Sequence, residues 1–129
     1  MNREIKFRGK RIDNGEWVYG YLADEDYIND INSIDLSSIE VDRDTIGQFT
    51  GLFDKNGKEI YEGDILGANG KIIGWVKGGV RGYCYDVVYI NHPTGEKRWS
   101  LYGTVVEDFN NRIEVISNIH DNPDLIKEE

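Results

Sequence analysis

Residues 50–66 read TGLFDKNGKEIYEGDIL and carry the strongest local signals of β structure in the chain. The apolar run from Ile46 to Phe53 has the length of a strand, and the polar pentad from Asp54 to Lys58 follows it. Asn56 and Gly57 tolerate the positive φ that tight hairpin turns need. We therefore expect a strand, a turn with Gly57 in the left-handed region, and a returning strand.

An acidic corner, Glu62-Gly63-Asp64, completes this stretch before the apolar pair Ile65 and Leu66. Glycine permits an unusual backbone conformation at Gly63, and the Asp64 carboxylate can accept hydrogen bonds from nearby N–H groups. The alternative is an acid/base or cation site made by Glu62 and Asp64. Turn chemistry already accounts for both residues, so we favour the structural role.

Working outward, apolar and polar residues alternate in short runs separated by turn residues, which is typical of strands. Turns are predicted at Asp13-Asn14-Gly15, Asn69-Gly70, His92–Gly95 and Asn110-Asn111. Strands are predicted at 4–8, 17–22, 39–41, 46–53, 65–66, 72–77, 82–90, 99–106 and 113–119. Phe7, Ile65 and Ile116 lie near the centres of apolar stretches and are predicted to be core residues.

Two segments depart from the alternation. Residues 24–38 are acidic and space Ile28, Ile31 and Ile34 by three, which predicts a short helical turn or an ordered loop. Near the C-terminus, Asn122 can cap a short helix with Pro123 in its first turn. Leu125 and Ile126 are then expected to pack against the sheet.

The composition agrees with a mainly β fold in one domain spanning residues 1–129. Ile, Val, Tyr, Trp and Phe supply 40 residues, whereas Ala, Leu and Met supply nine. Strands favour the first group and helices the second, so a helix bundle is excluded. One Cys and two His cannot form a disulfide framework or an ordinary zinc tetrad.

The charge is unevenly distributed. The net charge is −9, yet the first eleven residues carry five basic side chains against Glu4. Trp17, Tyr19 and Tyr21 follow on one face of the next predicted strand. The candidate partner-binding residues are therefore Arg3, Lys6, Arg8, Lys10, Arg11, Trp17, Tyr19 and Tyr21. The acidic remainder repels phosphate backbones, so we expect little binding of DNA or RNA at physiological salt.

Catalytic and cofactor motifs are weak. Cys84 with His92 or His120 is the one thiol–imidazole combination, and no local motif supports it. The acidic run Asp24-Glu25-Asp26 lacks the glycine and spacing of a calcium loop. We expect no enzyme activity and no cofactor. The N-terminus lacks the apolar core of a signal peptide, and no run is long enough for a membrane helix, so we expect a cytoplasmic protein without membrane contact.

The block at residues 50–66 resembles the signature block of the YopX family, small proteins encoded mainly by phages and prophages of low-GC Gram-positive bacteria. Two further segments match in order, REIKFR at Arg3–Arg8 and VISNIHDNPDL at Val115–Leu125. Ser117 and His120 stand where the family pattern has Gly and an aromatic residue, and Gly9 stands where Ala is usual. These departures concern strand packing.

The resemblance implies a mostly β fold that contains a small SH3-like barrel, with additional terminal strands and a short C-terminal helical turn. It carries over no catalytic residues. We therefore expect a non-enzymatic phage or prophage accessory protein that acts in the host cytoplasm through contacts with a phage or host protein, or with further copies of itself. The alternative is a nucleic-acid-binding barrel that uses the basic N-terminal strand and its neighbouring aromatic residues.

Overall fold

A computed structural model describes residues 5–35, 37–78, 85–90, 95 and 97–127. The described residues form ten strands in two antiparallel sheets, and this confirms a mainly β fold. The SH3-like barrel stays a prediction. The candidate residues Arg3 and Cys84 and the predicted turn at 92–94 lie outside the described residues, as does the beginning of the predicted strand 82–90.

The first sheet has the order β1-β2-β3-β4-β5, and β1 also pairs with β4. Its strands are β1 (Phe7–Arg11), β2 (Trp17–Asp24), β3 (Tyr27–Asp30), β4 (Ser38–Phe53) and β5 (Glu59–Tyr61). The second sheet has the order β10-β6-β7-β8-β9. Its strands are β6 (Asp64–Ala68), β7 (Lys71–Lys77), β8 (Asp86–Tyr89), β9 (Arg98–Ser100) and β10 (Glu114–Asn118). Two short helical segments follow β9 and β10: a π-helical turn at Gly103–Asp108 and a 3-10 turn at Pro123–Ile126.

The chain divides into two compact units, Met1–Phe49 and Thr50–Glu129. In the first unit, buried Val18, Ile28 and Val41 form a small core. The second unit has a larger core, formed by Ile60, Leu66, Ala68, Val76, Val87, Tyr89, Leu101, Val105, Ile113 and Val115. The single domain spanning residues 1–129 stays a prediction.

The acidic segment at 24–38 differs from the expected helical turn or loop, because part of it forms β3. Ile28 is fully buried and pairs with Leu22 of β2 and Ile39 of β4. The spacing of isoleucines by three does not mark one apolar face, because Ile34 is fully exposed. The predicted strands 39–41 and 46–53 are one strand, since β4 runs from Ser38 to Phe53 and pairs first with β3 and then with β1, with a register shift between Asp42 and Gly47.

The predicted strand 99–106 is wrong beyond Ser100, where the chain turns into helical geometry. The Ser100 hydroxyl accepts a hydrogen bond from the N–H of Gly103 at 2.9 Å, and its carbonyl accepts one from the Thr104 hydroxyl. The N–H of Phe109 donates to the Thr104 carbonyl, which is a π-type bond. The turn directs Leu101 and Val105 into the core of the second unit.

The C-terminal helical turn forms as expected, but Asn122 does not cap it with its side chain. Its Oδ1 instead accepts a hydrogen bond from the Ser117 hydroxyl at 2.6 Å. Asn118 stabilises the preceding turn by accepting from the N–H groups of His120 and Asp121. Leu125 is exposed, contrary to expectation, whereas Ile126 is half-buried.

Of the three predicted core residues, Ile65 is fully buried and Phe7 packs half-buried against the first core. The prediction for Ile116 is wrong, since its side chain is 43% exposed. Val115 pairs with Leu66 and Ser117 pairs with Ile65, so Ile116 is the extra residue of a β-bulge. A bulge breaks the alternation that the sequence pattern assumes.

Replacing Ile65 by Ala should lower the free energy of unfolding by about 2–5 kcal/mol, because the change leaves a cavity in a fully buried site. Ile116→Ala is the matched control and should cost less than about 1 kcal/mol. Urea denaturation followed by tryptophan fluorescence measures both. Equal losses in the two variants would contradict the assigned packing.

Gly57 has a φ of 79°, which confirms the predicted left-handed turn. A β-branched residue resists this conformation, so Gly57→Val should destabilise the protein by about 1 kcal/mol or more. Lys58→Val places the same side chain at an exposed neighbour without positive φ and should have a smaller effect. Thermal melts of the two variants test this, and an unchanged melt for Gly57→Val would refute it.

A candidate binding face of cations and aromatic rings

The basic N-terminal segment buries two of its cations, Lys6 and Arg8, instead of presenting them to solvent. Ile5 is exposed, while Lys6 and Arg8 are only 9% and 5% exposed. The cause is the position of β1 between two neighbours: Arg8 lies opposite Tyr19 of β2 and Gly47 of β4. Side chains on the Arg8 face therefore meet rings from the flanking strands.

These cations stack on aromatic rings. The guanidinium carbon of Arg8 lies 4.6 Å from the centre of the Trp17 ring, and Lys10 Nζ lies 5.7 Å from the same ring. On the neighbouring strand β4, the centre of the Phe49 ring lies 5.5 Å from Lys6 Nζ. Desolvated cation–π contacts of this kind stabilise by about 1–2 kcal/mol each. We call Lys6, Arg8, Lys10, Trp17, Tyr19, Tyr21 and Phe49 the cation–aromatic face.

The structure thus brings together six of the eight candidate partner-binding residues. Arg11 is separated from them, because strand alternation places it on the opposite face of β1. Its guanidinium donates two hydrogen bonds to the Asp13 carboxylate, at 2.9 and 2.8 Å. These bonds hold the pKa of Asp13 below its ordinary value. Arg3 lies outside the described residues.

Two exposed tyrosines lie on this side of the first sheet, Tyr21 of the cation–aromatic face and Tyr27 of β3. Tyr21 is 48% exposed and Tyr27 is 39% exposed. Tyr21 pairs with Asn29, two residues from Tyr27 on β3, so both rings share one face of the sheet. We call Tyr21 and Tyr27 the tyrosine patch. The sequence reasoning missed Tyr27, because the acidic segment around it was not expected to form a strand.

An acidic rim lies beside the tyrosine patch, at the turn between β2 and β3. Asp24 is the last residue of β2, and Glu25 and Asp26 form the turn. Arg43 of β4 neutralises part of it, with Nε at 2.8 Å from Asp26 and a terminal nitrogen at 3.4 Å from Glu25. The surroundings of the patch therefore carry negative charge and disfavour phosphate groups.

The predicted turn residues hold the backbone of the second unit. The N–H of Gly57 donates to the Asp54 carbonyl at 3.0 Å, and the N–H of Asn56 donates to the Asp54 carboxylate at 2.8 Å. Gly63 has a φ of 88°, and its N–H donates to the Val76 carbonyl. The buried Asp64 carboxylate accepts from the N–H of Tyr61 at 2.7 Å, as the structural role predicts.

The Asp54 carboxylate is a further structural group, and the sequence reasoning gave it no special role. It also accepts hydrogen bonds from the N–H groups of Lys58 at 2.9 Å and Val115 at 3.0 Å. Burial raises the pKa of Asp54, but the hydrogen bonds from Val115, Lys58 and Asn56 outweigh burial and hold this pKa below its ordinary value. An Asp followed two residues later by Asn-Gly is the signal that could have indicated this role.

In the described part of the chain, no group of three His, Cys, Asp or Glu side chains is placed so that it could bind a metal ion. The helical segments formed by the described residues are too short or too polar to cross a membrane.

Comparison with known proteins identifies the family. The model of the family described as YopX protein matches residues 6–127. The chain belongs to the YopX family. Protein EF1440 from Enterococcus faecalis, known from a crystal structure, is similar over 98% of this chain and 100% of its own, with 23% identity and a TM-score of 0.54. That likeness concerns the fold. No curated protein matches the sequence significantly.

In this YopX chain, the residues of the block 50–66 have visible structural roles. Thr50 donates its hydroxyl hydrogen to the Ile60 carbonyl at 2.7 Å, Asp54 organises the turn, and Asp64 holds the corner. The cation–aromatic face lies entirely outside the block, and most of its residues are on β1 and β2.

The buried Asp54 leads to a pH prediction. A carboxylate whose pKa is lowered in the folded state stabilises the protein above its unfolded pKa, and this contribution is lost as the pH falls through the folded pKa. Asp54→Asn should therefore reduce the free energy of unfolding by about 1–3 kcal/mol at neutral pH. The difference from the wild type should shrink below about pH 4.

Asp44→Asn is the matched control at an exposed aspartate and should change stability by less than about 0.5 kcal/mol. Urea denaturation of the three proteins between acidic and neutral pH measures the effect. A difference for Asp54→Asn that stays constant across this range would contradict the role of its charge.

Proposed function

We propose that this YopX protein is a non-enzymatic accessory protein of phage or prophage origin, and that it binds another protein through the tyrosine patch. The observation that carries the proposal is the exposure of Tyr21 and Tyr27 on one face, beside the half-buried rings of Trp17 and Tyr19. Interfaces are enriched in tyrosine and tryptophan, which contribute a large contact area at a small cost in conformational entropy.

The rigidity of this face supports the proposal. Arg8 and Lys10 stack on Trp17, so the ring is held in place before a partner arrives. Preorganised side chains lose less conformational freedom on binding, which favours affinity. The exposed tyrosines also retain hydroxyl groups that can hydrogen-bond across an interface.

The chemistry of the face favours a protein partner over a nucleic acid. Lys6 and Arg8 are buried beneath aromatic rings, so they present little charge to a phosphate backbone. The neighbouring Asp24, Glu25 and Asp26 add negative charge. We propose a partner with basic side chains at its rim, in the cytoplasm of the host bacterium. A second copy of the chain is the other candidate partner. We also propose that the tyrosine patch is presented by an SH3-like barrel, the fold implied by the resemblance to the family.

The test is a comparison of variants in host lysate. The double variant Tyr21→Ser/Tyr27→Ser removes the patch and should reduce capture of the specific partner by about tenfold or more, because interface tyrosines contribute heavily to affinity. Tyr102→Ser is the matched control, since Tyr102 is an exposed tyrosine in the second unit. Quantitative mass spectrometry of the captured proteins measures the ratio.

Two outcomes would contradict the proposal. Equal capture by the wild type and the double variant would remove the patch from the interface. Binding of an oligonucleotide at physiological salt that Arg8→Gln abolishes would instead favour a nucleic-acid module. Light scattering distinguishes self-association from binding to another protein. If a homo-oligomer dissociates in the double variant but persists in Tyr102→Ser, the partner is a second copy of the chain.

A further inference from the structure

An open groove lies on the second sheet, over the strands β7, β8 and β9. It has a volume of about 550 Å³ and is lined by Trp75, Lys77, Val88, Lys97 and Arg98. Trp75 pairs with Val88, and Val88 pairs with Arg98, so these three residues form one row across the strands. Neighbouring strands lie about 4.8 Å apart, so the backbones of Trp75 and Arg98 are roughly 10 Å apart along this row.

The groove has the opposite charge to the chain as a whole. Lys77, Lys97 and Arg98 are exposed at its sides, while the protein carries a net charge of −9. Arg98 Nε lies 3.6 Å from the buried Asp86 carboxylate, which holds the guanidinium at the edge of the groove. Within the described residues, neither lysine has a carboxylate at ion-pair distance. Among the described residues that line the groove, three are cations and none is a carboxylate, and the neighbouring Asp86 carboxylate offsets part of their charge.

The floor of the groove supplies an apolar platform between these cations. Trp75 is half-buried and projects from the middle of β7 on the face opposite the buried Val76. Val88 continues the platform at the centre of the row. A flat ring that stacks on Trp75 would bring a negatively charged substituent within reach of Lys77, Lys97 or Arg98.

We infer that this groove binds a nucleoside phosphate, with the base on Trp75 and the phosphate on Lys77, Lys97 and Arg98. The inference goes beyond the proposed protein contact, which uses a surface of the other unit. Indole faces stack on nucleobases with free energies of about 1–3 kcal/mol. Arginine and lysine are the side chains that recognise phosphate, through planar paired donors and a compact charge respectively. The volume lies within the range of small-ligand sites.

The same features favour one nucleotide over a longer anion. A polynucleotide would place many phosphates near a chain with a net charge of −9, and this repulsion reaches about 8–10 Å at physiological salt. A single nucleotide places its charge on the three cations alone. An acidic peptide could meet the cations, but it offers no flat ring to Trp75. Free nucleotides and the end of a nucleic-acid strand share the required chemistry, and the experiment separates them.

The test uses isothermal titration of the full chain with adenosine and guanosine monophosphates, together with proton–nitrogen NMR spectra of the tryptophan indoles. Trp75→Phe identifies the Trp75 signal, since the chain has three tryptophans. Binding with a Kd of about 1 mM or tighter is expected, with a shift of the Trp75 indole signal and none for Trp17. Inorganic phosphate and adenosine should each bind at least about fivefold more weakly.

Variants test the two halves of the site separately. Trp75→Ala should weaken binding of the monophosphate by about fivefold or more, through loss of stacking. Lys97→Gln should also weaken binding of the monophosphate. Because Lys97 is exposed, this variant is expected to fold, and it tests the inference even if Trp75→Ala is unstable. Lys71→Gln, at an exposed lysine at the start of β7, is the matched control and should bind as the wild type does.

Four outcomes would overturn the inference. They are an unmoved Trp75 signal at about 10 mM nucleotide, equal binding of phosphate alone, tighter binding of hexaglutamate, and equal binding by Lys97→Gln and the wild type. Single-stranded oligonucleotides separate the two sources of nucleotide. If an oligonucleotide binds more tightly per nucleotide than the monophosphate, and its affinity falls steeply with salt, then the ligand of the groove is a nucleic-acid strand and not a free nucleotide.

Discussion

The second unit depends on the hydrogen bonds that the Asp54 carboxylate accepts from two distant segments of the chain. Residues 54–58 and β10 are far apart in sequence, yet one side chain accepts N–H groups from both, at Asn56, Lys58 and Val115. The backbone adds a bond from the N–H of Lys55 to the Ile113 carbonyl. The bond from Val115 is buried, and a buried N–H that loses its acceptor costs about 1–3 kcal/mol. The carboxylate therefore fixes the turn and the beginning of β10 together, and Ile113 and Val115 enter the core at that point.

The turn residues in the sequence correctly predicted the conformation of the turns, because that conformation depends on the turn residues themselves. Gly57 and Gly63 have positive φ, as their turns require, and Asp64 accepts the hydrogen bond expected of it. The mainly β fold also followed from composition and alternation. The bond from Val115 to Asp54 joins residues separated by 61 positions, so no local pattern could show it. Ile116 was misplaced for a related reason, because a bulge depends on the register with β6, which the sequence does not display.

Six members of the candidate face were predicted from the sequence, but the form of the face was not. Alternation grouped Lys6, Arg8 and the aromatic residues, and the structure brings them together. It could not reveal that β1 pairs on both sides, through Phe7 with Gly20 and with Gln48. That double pairing buries Lys6 and Arg8 against rings and leaves Tyr21 exposed. A basic run next to aromatic residues was thus equally compatible with solvated cations and with stacked ones, and strand order decided between them.

Net charge is a poor guide to the surfaces of this protein, because its cations have two different roles. Lys6, Arg8 and Lys10 stack on rings in the first unit, where they stiffen a face that ends in exposed tyrosines. Lys77, Lys97 and Arg98 line an open groove in the second unit. The overall charge of −9 governs long-range attraction. Contact at a few ångströms is governed by the nearest groups, so the expected repulsion of long polyanions is compatible with the proposed binding of one small anion in the groove.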